Sequence, residues 1–241
     1  MNATTTSKTI GEIAAESPAA TAVFEKLGLD YCCGGGQTLE QACRAAGISE
    51  TDAQDSLDKV AASRSEKPER SWTAEPLSDL MAYIRNTHHD YTRAALGRLQ
   101  PLFDKVCGVH GKNHPELAQL RGIFAGMAAE LTMHLMKEEM MLFPYIERME
   151  EAAIEKSAAP PAPFGTVQNP VAMMMREHDA AGDALRELRS LSGGYSVPAE
   201  GCASYRALYQ ALEELEADLH RHIHLENSVL FPRAIEMERA G

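Results

Sequence analysis

The line His134-x-x-x-Glu138-x-x-x-x-Phe143-Pro144 returns as His222-x-x-x-Glu226-x-x-x-x-Phe231-Pro232, and the two superpose without a gap. A repeat carries more weight than any single motif, because it marks the residues that a fold uses twice. A weaker match precedes each line: His89-Asp90 followed by Ala95-Leu96, and His178-Asp179 followed by Ala184-Leu185. The spacing agrees, since His134 follows His89 by 45 residues and His222 follows His178 by 44. From Pro76 onward the text reads as long amphipathic segments broken at 107–115, 157–170 and 192–201. Three breaks make four helices, most economically an antiparallel up-down-up-down bundle. β-branched and aromatic residues never alternate convincingly with polar ones, so the class is all-α.

The repeat also chooses among nine histidines. Residues four apart on an α-helix lie about 40° apart around the axis and about 6 Å apart along it, so each His/Glu pair forms a two-point claw. His220 and His224 lie roughly 160° around the helix from His222 and are expected to face solvent. By the same register His89, rather than His88, is the counterpart of His178. A single histidine on an amphipathic helix is more often packed or solvated than ligating, and His88, His114, His220 and His224 are read that way.

Four imidazoles and two carboxylates, from His89, His134, Glu138, His178, His222 and Glu226, are too many donors for one tetrahedral zinc. They suit two metals sharing carboxylate bridges, and two non-haem iron ions are the expectation. Two histidines per metal plus shared bridges leave open positions for oxygen, nitric oxide or water. Asp90, Asp179 and Glu177 adjoin the ligands and are candidates to orient an imidazole through its second nitrogen. Methionines 133, 136, 140, 141 and 173 to 175 read as core filler near the site. Pro144 and Pro232 are expected to kink or end their helices.

The first sixty residues carry a different pattern. Thr9 with Glu12, Pro18 after Ser17 with Gly28 beyond, Thr38 with Gln41 and a closing Gly47, and Ser49 with Asp52 mark short capped helices. The expected organisation is a small helical domain over 1–63, a charged linker over 64–75, and the bundle over 76–241. Cys32 and Cys33 stand on a Gly-rich turn just before the helix near Thr38, where backbone N–H groups favour thiolate. The pair is a candidate thiol relay, able to bind a transferred iron or to be oxidised; the alternative is a tight turn with the two cysteines packed inward. Cys43, Cys107 and Cys202 read as separate and structural.

Composition sets the outer limits. A formal charge of −12 leaves no basic surface for a phosphate backbone or an anionic membrane, so neither nucleic acid nor lipid is an expected partner. No apolar run approaches the roughly 20 residues that span a bilayer, and the first residues hold no apolar signal core. Five cysteines in a chain of 241 residues fit free thiols in a reducing compartment, and the expected location is the cytoplasm.

The ligand pattern over about 76–238 resembles hemerythrin-like domains, in which HxxxE pairs with isolated histidines on neighbouring helices. The line LGLDYCCGGGQTL resembles the Asp-Tyr-Cys-Cys-Gly-Gly signature of the short domain preceding that bundle in the iron–sulfur cluster repair di-iron proteins, the RIC or ScdA-like family. The resemblance implies a cytoplasmic stress protein that restores iron–sulfur clusters damaged by nitric oxide or oxidants, by supplying iron. Its partners would be damaged iron–sulfur proteins, with nitric oxide or oxygen as small ligands, and a homodimer is the family expectation. It further implies that the six positions above are ligands and that His110 and Glu177 lie near the metals. Two departures stand out: Gly36 replaces the lysine that often follows Cys-Cys-Gly-Gly, and His88 adjoins His89. Two other classes remain open, a nitric oxide or peroxide reductase and an oxygen or nitric oxide sensor. Four histidines rather than five argue against a stable oxygen carrier, and ferritin-like oxidases use Glu-x-x-His instead.

Overall fold

The computed structural model describes residues 8–62, 71–158 and 161–240. Of the expected linker 64–75, residues 64–70 lie outside the described residues. Among the described residues the regular structure is helical, with one isolated bridge between Thr9 and Thr38. The chain divides into two compact units, one made of Met1–Met81 with His220–Gly241 and the other of Ala82–Leu219.

The first unit begins with α1 (Ile10–Glu16), α2 (Pro18–Leu27), α3 (Leu39–Ala46) and α4 (Glu50–Ala62). Their boundaries follow the capping chemistry of the sequence. Thr9 with Glu12 and Thr38 with Gln41 form reciprocal capping boxes, which satisfy first-turn donors that have no intrahelical partner. Gly28 and Gly47 close α2 and α3 at φ of 67° and 69°, where a Cβ would be strained. The core joins Ile10, Phe24, Leu29, Tyr31, Leu39 and Leu57.

Four long helical rods follow. They are α5 (Leu77–Ile84), π1 (Arg85–His89) and α6 (Asp90–His110); α7 (Glu116–Lys137), π2 (Glu138–Leu142) and α8 (Phe143–Glu155); α9 (Gln168–Leu191); and α10 (Ala203–Leu225), π3 (Glu226–Leu230) and α11 (Phe231–Ala240). Within the second unit, α6, α7, α9 and the first part of α10 enclose one core that includes Leu99, Phe103, Leu120, Phe124, Leu188 and Leu212. The rings of Phe103 and Phe124 sit 5.0 Å apart at its centre.

Each buried stripe keeps a three-four rhythm, the spacing that holds a seam facing its neighbours in a bundle. On the second rod it runs Leu117, Leu120, Phe124, Met127, Leu131, His134, Glu138, and on the fourth Tyr205, Leu208, Leu212, Leu215, Leu219, His222, Glu226. On α9 it runs Val171, Met174, His178, Ala181, Leu185, Leu188. The repeated His and Glu residues therefore occupy positions that packing would otherwise give to leucine.

Pro144 and Pro232 do not end their helices. Each is preceded by a π turn, in which Phe143 N–H donates to the Glu138 carbonyl and Phe231 N–H to the Glu226 carbonyl, five residues back. The widened turn makes room for a ring that would strike the carbonyl four residues earlier in an α-helix. The methionines also depart from expectation: 133, 136, 140, 141, 173 and 175 are exposed, and only Met174 is buried. The stripe on the second rod already belongs to Leu131, His134, Leu135 and Glu138, so the methionines between them fall on the outer face.

Candidate metal centre

Within the second unit His89, His134, Glu138 and His178 are all buried, with Glu138 at 0% exposure. The Nε2 atoms of His89 and His134 each lie 3.4 Å from Glu138 Oε2. His178 Nε2 lies 3.1 Å from His134 Nε2. The outer ring nitrogens are engaged by carboxylates: His89 Nδ1 is 2.8 Å from Glu139 Oε1, and His134 Nδ1 is 2.9 Å from Glu177 Oε2. In a neutral ring with Nδ1–H donating outward, Nε2 turns a lone pair inward. The interior thus assembles lone pairs around a carboxylate, and neither Glu138 oxygen accepts a hydrogen bond among the described residues. Acceptors crowded on acceptors in a buried space fit a cation, and the oxygen and nitrogen donors fit iron or another borderline divalent metal.

The carboxylates that orient the rings are held anionic. Burial pushes the Glu139 carboxyl up, but Arg93 and His89 outweigh it and bring the pKa below the usual value. Burial acts likewise on Glu177, and Lys137 and His134 outweigh it there. A small pocket lined by Met127, Glu130, Leu131, His134, Glu177, His178 and Ala181 adjoins this group.

Within the first unit His222 Nε2 lies 3.1 Å from Glu226 Oε1, both residues being buried. The two flanking histidines differ from expectation. His224 is buried, its ring 5.3 Å from that of Tyr31, and burial brings its pKa down to about 4. His220 is half-buried, 6.4 Å from the same ring. Both do point away from His222, but that face meets the Tyr31 turn rather than water.

Cys32 and Cys33 stand on that turn, Cys32 buried and Cys33 partly so. The Asn227 amide, next to Glu226, donates to the Cys32 carbonyl at 3.2 Å. Glu177 stands against His134, whereas His110 is placed elsewhere. It ends α6, the 21-residue helix after His89, and so lies about 30 Å of helix away from it. There its Nε2 meets Cys202 Sγ at 3.2 Å, and its ring packs on Tyr205. His110, then the backbone N–H groups of Tyr205 and Ser204, bring the Cys202 thiol down to about 7. His88 is buried and bonds Asp218 at 3.0 Å, so it is packed rather than aimed at Glu138. Sequence reasoning missed Glu139, whose adjacency to Glu138 was its only signal.

Residues 81–234 match the hemerythrin HHE cation binding domain, and residues 6–61 match ScdA_N, a domain of unknown function. The chain belongs to the hemerythrin HHE family. Among its relatives, an iron–sulfur cluster repair protein YtfE of Musicola paradisiaca is 39% identical over 96% of this chain and 97% of the relative. A protein of the same name from Pectobacterium carotovorum is 37% identical, over 96% and 98%. A probable iron–sulfur cluster repair protein of Haemophilus influenzae is 33% identical, over 94% and 96%. The cation-binding domain therefore includes all six residues singled out by the repeat. No helix among the described residues is long and apolar enough to cross a membrane.

Proposed function

We propose that this chain repairs iron–sulfur clusters damaged by nitric oxide or oxidants, and that it does so by giving up iron. The names of relatives matched over nearly their full length support the first half of this reading. The buried Glu138 carboxylate, bare of hydrogen bonds and faced by inward-turned imidazoles, supports the second. On this reading two iron ions are cargo, held by His89, His134, Glu138, His178, His222 and Glu226 with the carboxylates shared between them. His222 and Glu226 enter through the duplicated line, which repeats His134 and Glu138 residue for residue. Glu139 and Glu177 fix the ring orientations, and Cys32 with Cys33 serves as a thiol relay.

The test is stoichiometric. Iron-loaded protein is mixed anaerobically with a client enzyme whose cluster has been destroyed by nitric oxide. Client recovery should match iron lost from this chain, and Glu138→Ala and Glu226→Ala should lower the iron content sharply. Full iron retention in both variants would overturn the ligand assignment, and client recovery without iron loss would overturn donation.

One feature favours a second reading, the reduction of nitric oxide or peroxide: a small pocket is lined by His134 and His178, beside which a small molecule would bind. Many nitrous oxide molecules formed per chain with an electron donor would select it over donation.

A further inference from the structure

We propose that Asp30, Cys32 and Cys33 form a second metal site, which takes a thiophilic divalent cation through two sulfurs and one carboxylate oxygen. One ligand atom from each residue lies within 4.8 Å of the others. Cys32 Sγ is 3.7 Å from Cys33 Sγ and 3.2 Å from Asp30 Oδ1. A tetrahedral ion with metal–sulfur bonds of about 2.3 Å and a metal–oxygen bond of about 2.0–2.2 Å sets its sulfurs about 3.8 Å apart and each sulfur about 3.5 Å from the oxygen. The two separations from Cys32 Sγ therefore stand within about 0.3 Å of the spacing such an ion requires, and the third pair, Cys33 with Asp30, lies within 4.8 Å.

The backbone holds that spacing. Cys33 N–H donates to Asp30 Oδ1 at 2.9 Å, and the Gly34 backbone also bonds this carboxylate. Gly35 packs against the Tyr31 carbonyl, where a Cβ would come to 2.5 Å, and its own carbonyl accepts Gly11 N–H at 2.9 Å. Tyr31 is buried beneath, its hydroxyl 3.0 Å from Glu25. Asn227 fixes the Cys32 carbonyl from π3. A preformed donor set of this kind loses little entropy on binding.

The exposure of the donors is graded. Cys32 is buried, Cys33 is partly covered and Asp30 is exposed, so one side of the triad faces solvent. An ion entering from that side keeps a fourth position for water or for a donor from another molecule, as exchangeable sites do. Cys33, burial and the Asp30 carboxylate together hold the Cys32 thiol well above its ordinary value. Cys32 in the free turn is therefore held as the thiol. Binding forms two metal–sulfur bonds and releases the thiol proton of Cys32, with any carried by its neighbour, to solvent, with no change of oxidation state. A thiol pair beside a carboxylate is a poor nucleophile but a good trap for a soft or borderline cation. That the physiological ion is iron in transit rests on the proposed function; cation binding by the turn does not.

Cobalt(II) is the probe, added anaerobically to the reduced full-length chain. Sulfur-to-cobalt charge transfer in the near ultraviolet reports thiolate ligation, which the His/Glu residues cannot produce. The band should appear with the parent chain and with Glu138→Ala and Cys202→Ser, and vanish in Cys32→Ser, which should keep its full complement of His/Glu-bound iron. Asp30→Asn keeps an acceptor for Cys33 N–H but loses the anionic ligand. Because loss of a merely supporting group already costs about 10–100-fold in metal affinity, cobalt binding there should weaken at least tenfold. No band in the parent chain, or an equal band in Cys32→Ser, overturns the site. Unchanged affinity in Asp30→Asn overturns the place of the carboxylate in it.

Discussion

Replacing Glu138 by leucine should stabilise the metal-free protein and remove the stabilisation that metal confers. Glu138 is fully buried on a stripe otherwise made of Leu117, Leu120, Phe124, Met127 and Leu131, and its oxygens accept no hydrogen bond among the described residues. An unmade hydrogen bond at a buried polar group costs about 1–3 kcal/mol, and more for a charged group. Exchanging buried ionic groups for well-packed hydrophobic ones is often neutral or gains about 1–4 kcal/mol. Leucine and glutamate have nearly equal helix propensity, so the backbone is indifferent to the change. A net gain of about 1–3 kcal/mol is expected, or roughly 2–12 °C in the melting temperature for a unit of this size.

Metal acts in the opposite direction. At a thousand times its dissociation constant a ligand bound only to the native state adds about 4.1 kcal/mol, which exceeds the largest gain expected from leucine. The order of melting temperatures should therefore invert: Glu138→Leu above the parent with chelator, and below it with saturating ferrous iron. Far-ultraviolet circular dichroism on the two proteins under the two conditions is sufficient. If Glu138→Leu melts below the parent without metal, the carboxylate is satisfied within the protein and the argument for a cation fails. Equal upward shifts of both proteins with iron would show that Glu138 is not a ligand.

Three further outcomes follow from the geometry. Glu177→Ala and Glu139→Ala should leave the helix content intact and weaken metal binding by about 10–100-fold, measured by competition with a chelator; unchanged affinity would mean that these carboxylates do not set the imidazoles. Alkylation of Cys202 by iodoacetamide should rise with pH around a midpoint of about 7, because the thiol titrates below its ordinary value; His110→Ala should move that midpoint upward, and a stationary midpoint would remove His110 as the cause. Gly11→Ala should destabilise the first unit by about 1–3 kcal/mol in chemical denaturation, since its Cβ would come within 2.9 Å of both the Gly35 carbonyl and Ser228 Oγ; a silent substitution would show that this approach is loose.

The helices were legible because their signals are local. Thr9/Glu12 and Thr38/Gln41 lie three residues apart, and the stripe of the second rod repeats every three or four residues through His134 to Glu138. The partners of those stripes were not legible, because they come from distant chain. His89 meets Glu139 across 50 residues and His88 meets Asp218 across 130. Periodicity placed His224 on the face opposite His222, but it could not say that Tyr31 covers that face. The same limit misled the methionines, whose hydrophobicity suggested burial while their register put them outside. His110 was placed near the metals by resemblance alone, and no spacing in the sequence supported it.

The two copies of the repeat carry one more signal, in where they differ. They agree at the histidine, at the glutamate and at Leu-Phe-Pro, so these positions answer to demands that both halves share. They disagree just after the glutamate, where Glu139-Met140 in one copy stands against Asn227-Ser228 in the other. Glu139 orients His89, and Met140 faces solvent. Asn227 instead donates to the Cys32 carbonyl, and Ser228 lies where a side chain on Gly11 would strike it. Both copies form a π turn at these two positions, so the divergence follows from what each turn touches rather than from a different backbone. An acid suits a turn that supports an imidazole, whereas an amide donor and a small hydroxyl suit one that seats a glycine-rich loop. Asn227→Glu would transplant the first solution onto the second turn. It should remove the donor to the Cys32 carbonyl, place a carboxylate beside that carbonyl, and lower the cobalt–thiolate signal without lowering the metal content of the histidine and glutamate residues. Loss of both together would mean that Asn227 serves Glu226 rather than the cysteine turn.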